Sequence, residues 1–437
     1  MPVSPARAVA FDILLRIERE DAYASELLHS TRAEKLSAED HRLTTELVMG
    51  TLRWRARLDD HIANLSSQKK LDLEVLTALR LGAYQILFLD RIPARAAVNE
   101  SVELVKRARK RSAAPFVNAL LRKVSPGVPL EPEDKTPPSL AAIYSHPKWM
   151  VDRWSRFFGC ERAEFICRHD QQTPAVALRM RRASVEGELT NAGIRLEPGA
   201  LLTLASRLVS GDLTRTAAFR SGDVAIQDEA SQLVALLVGS GQRILDCCAA
   251  PGGKTALIAD RNPKATIIAA ELHPHRALLL RRLVPQPNVR VVTADIRSLP
   301  VTGLFDTILV DAPCSGTGTL ARHPEIKWRL QSEHLVSLQK LQIEILSAAM
   351  KHLASGGRLL YSTCSLEKEE NEDVIEAVLA RESGYETLDC RPELERLQQA
   401  GDLNWRDVGS LISGRFLRTL PGLHPCDGFF AALLRKI

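Results

Sequence analysis

The sequence has no uninterrupted apolar run approaching the roughly 18 residues that a membrane-spanning helix requires. It also lacks the regular cysteine spacing of a small secreted fold, because its 8 cysteines are scattered and include the adjacent pair Cys247 and Cys248. The first twenty residues place Asp12 and Glu18 among apolar positions, which is typical of an amphipathic helix and not of a signal peptide. These absences predict a reduced, cytoplasmic protein without a membrane partner.

Neither sign of charge dominates, and no repeat or low-complexity segment is present. The formal net charge is +5, and the 45% hydrophobic and 25% charged residues are ordinary for a soluble globular protein of two or three domains. The basic residues are nevertheless concentrated in one segment, at Lys106, Arg107, Arg109, Lys110, Arg111, Arg122 and Lys123. This cluster suits either a phosphate backbone or a solvated helix end, and the sequence alone leaves both readings open.

The spacing of apolar residues divides the chain into regions. Residues 1–130 space them by three and four, which predicts a helical bundle, and the proline-rich and acidic stretch 125–140 is a predicted linker. Residues 141–235 mix helical and extended patterns and predict a small α+β module. The predicted architecture is therefore multidomain, with a third domain at residues 236–437.

Residues 236–437 have the pattern of a Rossmann-like α/β domain. Short apolar runs, such as RILDCCA, TIIAAEL, DTILVDAP and GGRLLYSTC, alternate with helical segments. Buried parallel strands joined by crossover helices produce this alternation. The last runs, RFLRTLP and GFFAALLRK, flank a turn rich in Pro, Gly and Asp and predict a C-terminal antiparallel hairpin.

The stretch RILDCCAAPGGKT joins a predicted strand to a predicted helix through Pro251, Gly252 and Gly253. Glycines let the backbone approach a ligand, and a helix N-terminus offers free N–H groups. The letters GKT also match the end of a phosphate-binding P-loop, although the first glycine of that motif would stand at Cys248. A nucleotide hydrolase is therefore an alternative to an enzyme that binds a nucleoside cofactor.

Two acidic residues follow the next predicted strands. Glu271 stands where a doubly wound sheet places an acid that holds the ribose hydroxyls of a nucleoside. Asp295 ends VRVVTAD and is expected beside the adenine. Either residue alone would be most simply a solvated strand end. The glycine loop and both acids in this order predict a pocket for S-adenosylmethionine.

Two cysteines stand at the carboxyl ends of neighbouring predicted strands, where open α/β sheets bind ligands. Cys314 lies with Asp311 in DAPCSGTG, and Cys364 lies in YSTCSL. The C5 atom of a pyrimidine has no lone pair, so it becomes nucleophilic only after a group such as a thiolate adds to C6. Two thiols at this edge therefore favour covalent catalysis on a ring carbon.

The other cysteines fit ordinary packing. Small buried hydrophobic side chains are expected at four of them, Cys160, Cys167, Cys390 and Cys426. Cys247 is expected to pack within the sheet. His323, beside a proline in LARHPEIKW, is most simply structural, and no histidine or cysteine spacing predicts a metal site.

The motifs CAAPGGKT, DAPCSGTG and YSTCSL, in this order, resemble the Sun (Fmu) family of RNA cytosine-5 methyltransferases. The N-terminal segment AVNESVELVKRARKRSAAPFVNALLRKV is similar to the RNA-binding antitermination factor NusB. Together these resemblances imply an enzyme that methylates C5 of a cytosine in 16S ribosomal RNA with S-adenosylmethionine. Methylation of transfer RNA or of 23S ribosomal RNA, or a non-catalytic role in RNA binding, are the alternatives.

The resemblance also implies roles for individual residues. Cys364 would be the nucleophile that attacks C6, and Cys314 would assist release of the RNA. Asp311 would lie near both the methyl donor and the base, with Glu271 on the ribose and Asp295 on the adenine. The methionine and nucleoside side would be lined by Cys248, Ala249, Ala250, Pro251, Gly252, Gly253 and Lys254. No metal is implied.

The substrate implied by the resemblance is RNA whose target base is single-stranded or turned out of its stack. An early 16S ribosomal RNA, still partly free of protein, fits because an assembled subunit could bury the base. The basic N-terminal bundle and the middle module are expected to contact phosphates. No DNA and no obligate protein partner are expected.

Overall fold

The computed structural model describes residues 3–20, 22–30, 33, 35–66, 70–125 and 134–437. The chain forms two compact units: unit 1 is Met1–Thr173 with Leu320–Leu330, and unit 2 is Pro174–Thr319 with Gln331–Ile437. The division at residue 173 falls inside the predicted middle module 141–235. Its helical half belongs to unit 1, whereas its strands belong to unit 2.

Unit 1 is helical, as predicted. Its helices bury the apolar faces that the spacing of three and four creates; in α1, for example, Ala6, Val9, Ile13 and Ile17 are buried. The helices are α1 Pro5–Glu20, α2 Ala24–Leu28, α3 Ala38–Arg53, α4 Arg55–Leu65, α5 Leu73–Phe88, α6 Ala94–Arg107, α7 Ala114–Leu121, α8 Pro137–Ile143, α9 Lys148–Phe158 and α10 Cys160–Asp170. Residues 126–133 of the predicted linker lie outside the described residues, and its last residues begin α8.

The burial of the cysteines follows expectation with one exception. Cys167, Cys390 and Cys426 are buried, and Cys247 packs within the core of the sheet, as predicted. The prediction for Cys160 is wrong, because this residue is exposed. It is the first residue of α10 and follows a glycine with positive φ, so it lies at a turn on the surface instead of on the apolar face of the helix.

Unit 2 begins with a small antiparallel sheet in the order β2-β3-β1-β4. The core of this module includes Leu178 and Met180 from the sheet and Val185 and Leu189 from the helix above it. The elements are β1 Val176–Met180, α11 Ser184–Asn191, β2 Arg195–Pro198, β3 Ala205–Ser210, α12 Ala217–Arg220 and β4 Val224–Ile226. The structure thus contains the predicted extended segments.

The larger sheet of unit 2 has the order β11-β12-β13-β9-β8-β5-β6-β7, and β10 pairs with β13. The strands are β5 Arg243–Asp246, β6 Thr266–Glu271, β7 Val289–Thr293, β8 Phe305–Asp311, β9 Leu353–Thr363, β10 Tyr385–Leu388, β11 Ile412–Ser413, β12 Phe416–Thr419 and β13 Phe429–Lys436. Strands β5 to β9 pair in parallel, and β12 and β13 form the predicted antiparallel hairpin. This is the predicted Rossmann-like fold.

Helices connect the strands of this sheet. They are α13 Glu229–Leu237, α14 Gly253–Arg261, α15 Pro274–Leu283, α16 Ile326–Arg329, α17 Ser332–Lys351, α18 Glu372–Leu379 and α19 Arg391–Gln399, of which α16 belongs to unit 1. Across the ranges that the structure describes, no helix has both the length and the apolar character to cross a membrane.

Residues 320–330 belong to unit 1 although they follow the DAPCSGTG motif in the chain. The buried Lys327 Nζ donates to the carbonyl oxygens of Arg53 and Ser145, each at 2.9 Å. Trp328 Nε1 donates to the carbonyl of Leu52 at 2.6 Å, and its ring packs against the core of the bundle. Burial lowers the pKa of Lys327 to about 7. The segment therefore completes the fold of unit 1.

We predict that Trp328→Ala destabilises the protein by about 2 kcal/mol, because it removes a half-buried ring and leaves the Leu52 carbonyl without its indole donor. Urea denaturation followed by circular dichroism would measure the change. Val336→Ala, at a position 67% exposed on α17, is the control and should shift the free energy of unfolding by less than about 0.5 kcal/mol. Equal midpoints for the two variants would contradict the prediction.

Candidate active site

The parallel strands bring most of the predicted site residues to one edge of the larger sheet. Glu271 and Asp311 are the last residues of β6 and β8, and Cys364 directly follows β9. The loop after β5 carries the glycines. Because β6 and β8 lie on opposite sides of β5, this edge contains the topological switch point at which open α/β sheets bind ligands.

The glycine loop reaches α14 through a backbone conformation that only glycine adopts without strain. Gly252 precedes the first residue of α14 with φ +116°. A Cβ atom here would lie 2.5 Å from Val284 Cγ2 and 2.7 Å from Leu280 Cδ1. The Ala250–Pro251 peptide bond is cis. The loop therefore passes close to its neighbours and presents the N-terminus of α14 at the edge of the sheet.

Glu271 and Asp295, the two acids expected to contact the nucleoside, lie at or just after the ends of their strands. Glu271 is buried, and its Oε1 accepts from the backbone N–H of His273 at 2.9 Å. Asp295 lies just after β7 and pairs with Arg297 at 2.7 Å. The hydrogen bond from Arg297 holds the pKa of Asp295 below its usual range. Arg297 is a partner that the sequence reasoning did not assign.

Asp311 connects the glycine loop to β9. Its Oδ2 accepts from Lys254 Nζ at 2.7 Å, and its Oδ1 accepts from Ser362 Oγ at 2.8 Å. Burial opposes the charge of Lys254, but the Asp311 carboxylate outweighs burial and raises the pKa of Lys254. Ser362 was missed by sequence reasoning, although it stands in the YSTC motif.

The two predicted thiols meet. Cys314 Sγ lies 3.4 Å from Cys364 Sγ, and both residues are partly exposed. The hydrogen bond with Cys364 and burial raise the pKa of Cys314 well above its ordinary value. Cys248 in the glycine loop also has a raised pKa, because of burial. Cys314 and Cys248 are therefore held as protonated thiols.

A close backbone approach supports this meeting. The Gly318 N–H donates to the Cys364 carbonyl at 2.9 Å, and the Gly428 N–H donates to the Gly318 carbonyl at 2.8 Å. A Cβ atom at Gly318 would lie 2.1 Å from the Gly428 oxygen and 2.9 Å from the Cys364 oxygen. The last glycine of DAPCSGTG is thus required by the contact between the two cysteine-bearing loops.

Behind the thiols lies a buried polar cluster that the sequence reasoning also missed. Glu370 is fully buried and accepts from Ser315 N–H at 2.8 Å and from Ser365 Oγ at 2.5 Å. Gln342 from α17 donates to the same carboxylate at 2.8 Å. Within the described ranges, no group of three or more His, Cys, Asp or Glu side chains could hold a metal ion.

The fold and the glycine loop define a Rossmann-like methyltransferase, whose cofactor is S-adenosylmethionine. A model described as 16S rRNA methyltransferase RsmB/F matches residues 233–435, and the NusB family model matches residues 4–126. The chain belongs to the RsmB/F family of RNA methyltransferases and carries a NusB domain. This membership decides against the nucleotide hydrolase that the GKT letters left open.

Relatives and a solved structure extend this similarity over the whole chain. The Bacillus subtilis protein named "Probable ribosomal RNA small subunit methyltransferase B" is 34% identical over 454 residues, covering 100% of both chains. Ribosomal RNA small subunit methyltransferase B of Pseudomonas syringae is 35% identical over 427 residues, covering 93% of this chain and 92% of that protein. The crystal structure of PH0851 shares the fold, with a TM-score of 0.79, 23% identity and 100% coverage of both chains.

We predict that Gly318→Ala lowers methylation of RNA at least about 100-fold, because the added Cβ must push apart the loops that carry the two thiols. Methyl transfer from labelled S-adenosylmethionine to RNA would measure it. Gly187→Ala is the matched control, since Gly187 lies within α11 with open space around its Cβ position. Loss of activity in both variants, or in neither, would contradict the role given to Gly318.

Proposed function

We propose that the protein methylates C5 of a cytosine in 16S ribosomal RNA through a covalent bond between Cys364 and C6 of the base. The observation that carries this proposal is the pair of thiols 3.4 Å apart at the ends of β8 and β9, beside the Asp311 carboxylate. A methyltransferase acting on an exocyclic amine would need no thiol, because the amine nitrogen has its own lone pair. A ring carbon requires activation.

In the proposed reaction, the Cys364 thiolate adds to C6 and forms a carbon–sulfur bond, and the electrons of the C5–C6 double bond move onto C5. When bound, S-adenosylmethionine would supply the methyl group that C5 accepts, and the carbon–sulfur bond that breaks in the donor would leave its sulfur as a neutral thioether. A base then removes the C5 proton, and the carbon–sulfur bond breaks as the double bond forms again. Cys364 leaves as a thiolate, so that the enzyme is restored.

The second thiol fits the release step. Cys314 has the raised pKa of a protonated thiol, so it can donate a hydrogen bond to the departing Cys364 sulfur. Asp311 lies at the same edge and would face N3 of the base, where a proton held between the carboxylate and N3 makes the ring more electrophilic. Lys254 and Ser362 hold this carboxylate from both sides.

The residues of the glycine loop and the two strand-end acids fit S-adenosylmethionine. The Glu271 carboxylate suits the two ribose hydroxyls, and the Asp295 carboxylate suits the amino group of adenine. The backbone from Cys248 to Lys254, with the tight turn at Gly252, would line the methionine and nucleoside side. These assignments rest on the chemistry of the donor set at this edge of the sheet.

The substrate assignment to 16S ribosomal RNA is supported by the names of the relatives and by exposed basic residues of unit 1. Lys106, Arg107 and Lys110 form ion pairs within the bundle, and Arg109 and Arg111 are exposed, as are Lys106 and Arg107. Exposed guanidinium groups bind phosphates readily. We propose a cytoplasmic enzyme that acts on early RNA, before ribosomal proteins cover the base. Transfer RNA and 23S ribosomal RNA are the alternative substrates.

We predict that Cys314→Ala accumulates a covalent protein–RNA adduct that survives denaturing gel electrophoresis, because addition of Cys364 remains possible while release is impaired. Cys364→Ala should form no adduct and should lose methyl transfer altogether. The control is Cys160→Ala, at an exposed cysteine in unit 1, which should turn over normally without an adduct. An adduct that persists in the Cys364 variant would contradict the assignment of the nucleophile.

The target base is tested in cells. Bisulfite sequencing of ribosomal and transfer RNA from a deletion strain should show one 16S cytosine that has lost its methyl group, and a plasmid carrying the wild-type chain should restore it. The Cys364→Ala chain should not restore it. A methyl group lost from transfer RNA or 23S ribosomal RNA, with every 16S cytosine unchanged, would overturn the proposed substrate.

A further inference from the structure

We propose that Glu370 is a positioning residue that fixes the two cysteine-bearing loops relative to each other, so that both thiols act on one base. The proposal rests on the proposed function for its catalytic consequence. It stands on the hydrogen bonds of a carboxylate that neither the sequence motifs nor the reaction scheme uses. Glu370 lies between the YSTCSL motif and α18, and its side chain is fully buried.

The contacts of Glu370 are matched across the two loops. Ser315 directly follows Cys314, and Ser365 directly follows Cys364. The Ser315 backbone N–H donates to Glu370 Oε1 at 2.8 Å, and the Ser315 hydroxyl donates to Oε2. The Ser365 hydroxyl donates to the same Oε2 at 2.5 Å. One carboxylate therefore connects the residues that follow both cysteines.

Gln342 connects Glu370 to Pro313, the residue before Cys314. Gln342 Nε2 donates to Glu370 Oε1 at 2.8 Å and to the Pro313 carbonyl at 2.9 Å. Gln342 is fully buried in α17, so these hydrogen bonds come from a helix behind the edge of the sheet. Cys314 is thus flanked on both sides by groups that depend on Glu370 and its partner.

Because Glu370 is buried, water cannot replace its carboxylate as the acceptor of these hydrogen bonds. Each oxygen of Glu370 accepts two hydrogen bonds, and removing the carboxylate would leave buried donors without an acceptor. The Tyr361 hydroxyl donates to the Glu370 carbonyl at 2.7 Å, which also fixes the backbone of this residue. The carboxylate cannot move without moving at least one of the loops.

Glu370 also affects the thiols electrostatically. Its charge is one of the causes that raise the pKa of Cys314, after the hydrogen bond with Cys364, burial and the charge of Cys364. Geometry and charge therefore act in the same direction: the carboxylate holds Cys314 in place and favours its protonated form. This supports the separate roles of the two cysteines.

The first test reads the spacing of the thiols without RNA or methyl donor. Diamide oxidises two neighbouring thiols to a disulfide and is itself reduced to the hydrazine, taking up both thiol hydrogens. In the wild-type chain it should join Cys314 to Cys364 quickly, as seen by a loss of two mass units in the linked peptides. Glu370→Ala should form this disulfide at least about 10-fold more slowly, since a displaced thiol rarely reaches its partner.

The second test reads catalysis. Glu370→Ala should lower kcat for RNA methylation about 100-fold while the KM for S-adenosylmethionine stays within about 3-fold, because the cofactor loop is not part of the network. Glu370→Gln should recover most of both rates, since an amide still spans the serines and hydroxyl groups can accept its N–H. Glu376→Ala, at an exposed glutamate on α18, is the control.

These outcomes separate the two proposals. Wild-type rates of disulfide formation and methylation in Glu370→Ala would overturn the positioning role, as would a Gln variant as impaired as the Ala variant. Should Glu370→Ala fail to fold, Ser315→Ala decides, because it removes the hydroxyl that donates to Glu370 Oε2, and an unchanged disulfide rate in this variant would overturn the role. If Glu370→Ala forms the disulfide slowly but the wild-type chain produces no methylated cytosine, the proposed function alone would be overturned.

Discussion

The parallel pairing of β8 with β9 is the interaction on which the site depends. The register places Asp311 opposite Ser362, so the two strands end side by side and release their loops in the same direction. The loops carry the two cysteines, and the contact of Gly318 with the Cys364 backbone closes the gap between them. A shift of this register would separate the thiols and break the hydrogen bond that orients Asp311.

The cysteines and the carboxylates near this edge of the sheet have different surroundings. Cys314 lies at the same edge as Cys364, and the hydrogen bond between the two thiols, together with burial, raises the pKa of Cys314. Asp311 is engaged by a lysine and a serine, whereas Glu370 behind it is fully buried and accepts from uncharged donors. Asp311 is half-buried at the edge of the sheet, whereas Glu370 is enclosed by the protein.

The sequence predicted what short-range patterns determine. Alternating apolar runs gave the parallel strands, and the glycines, strand-end acids and two cysteines came to the expected edge because the ends of parallel strands must meet there. Contacts between segments that are distant in the chain produce no short-range pattern in the sequence. Nothing near Glu370 in the sequence indicates its bonds to Ser315, and the spacing around Cys160 does not show that α10 begins at the surface.

The membership of residues 320–330 in unit 1 also depends on contacts between segments that are distant in the sequence. Unit 1 is not a continuous stretch of chain, because Lys327 and Trp328 supply hydrogen bonds to carbonyls of residues 52, 53 and 145. A chain cut after Thr173 would leave those buried carbonyls without donors. Residues 320–330 follow Gly318 by only one residue, so the chain passes from the DAPCSGTG motif almost directly into unit 1. The helical unit therefore takes part of its own fold from a segment that lies far along the sequence, and residues 1–173 alone would lack it.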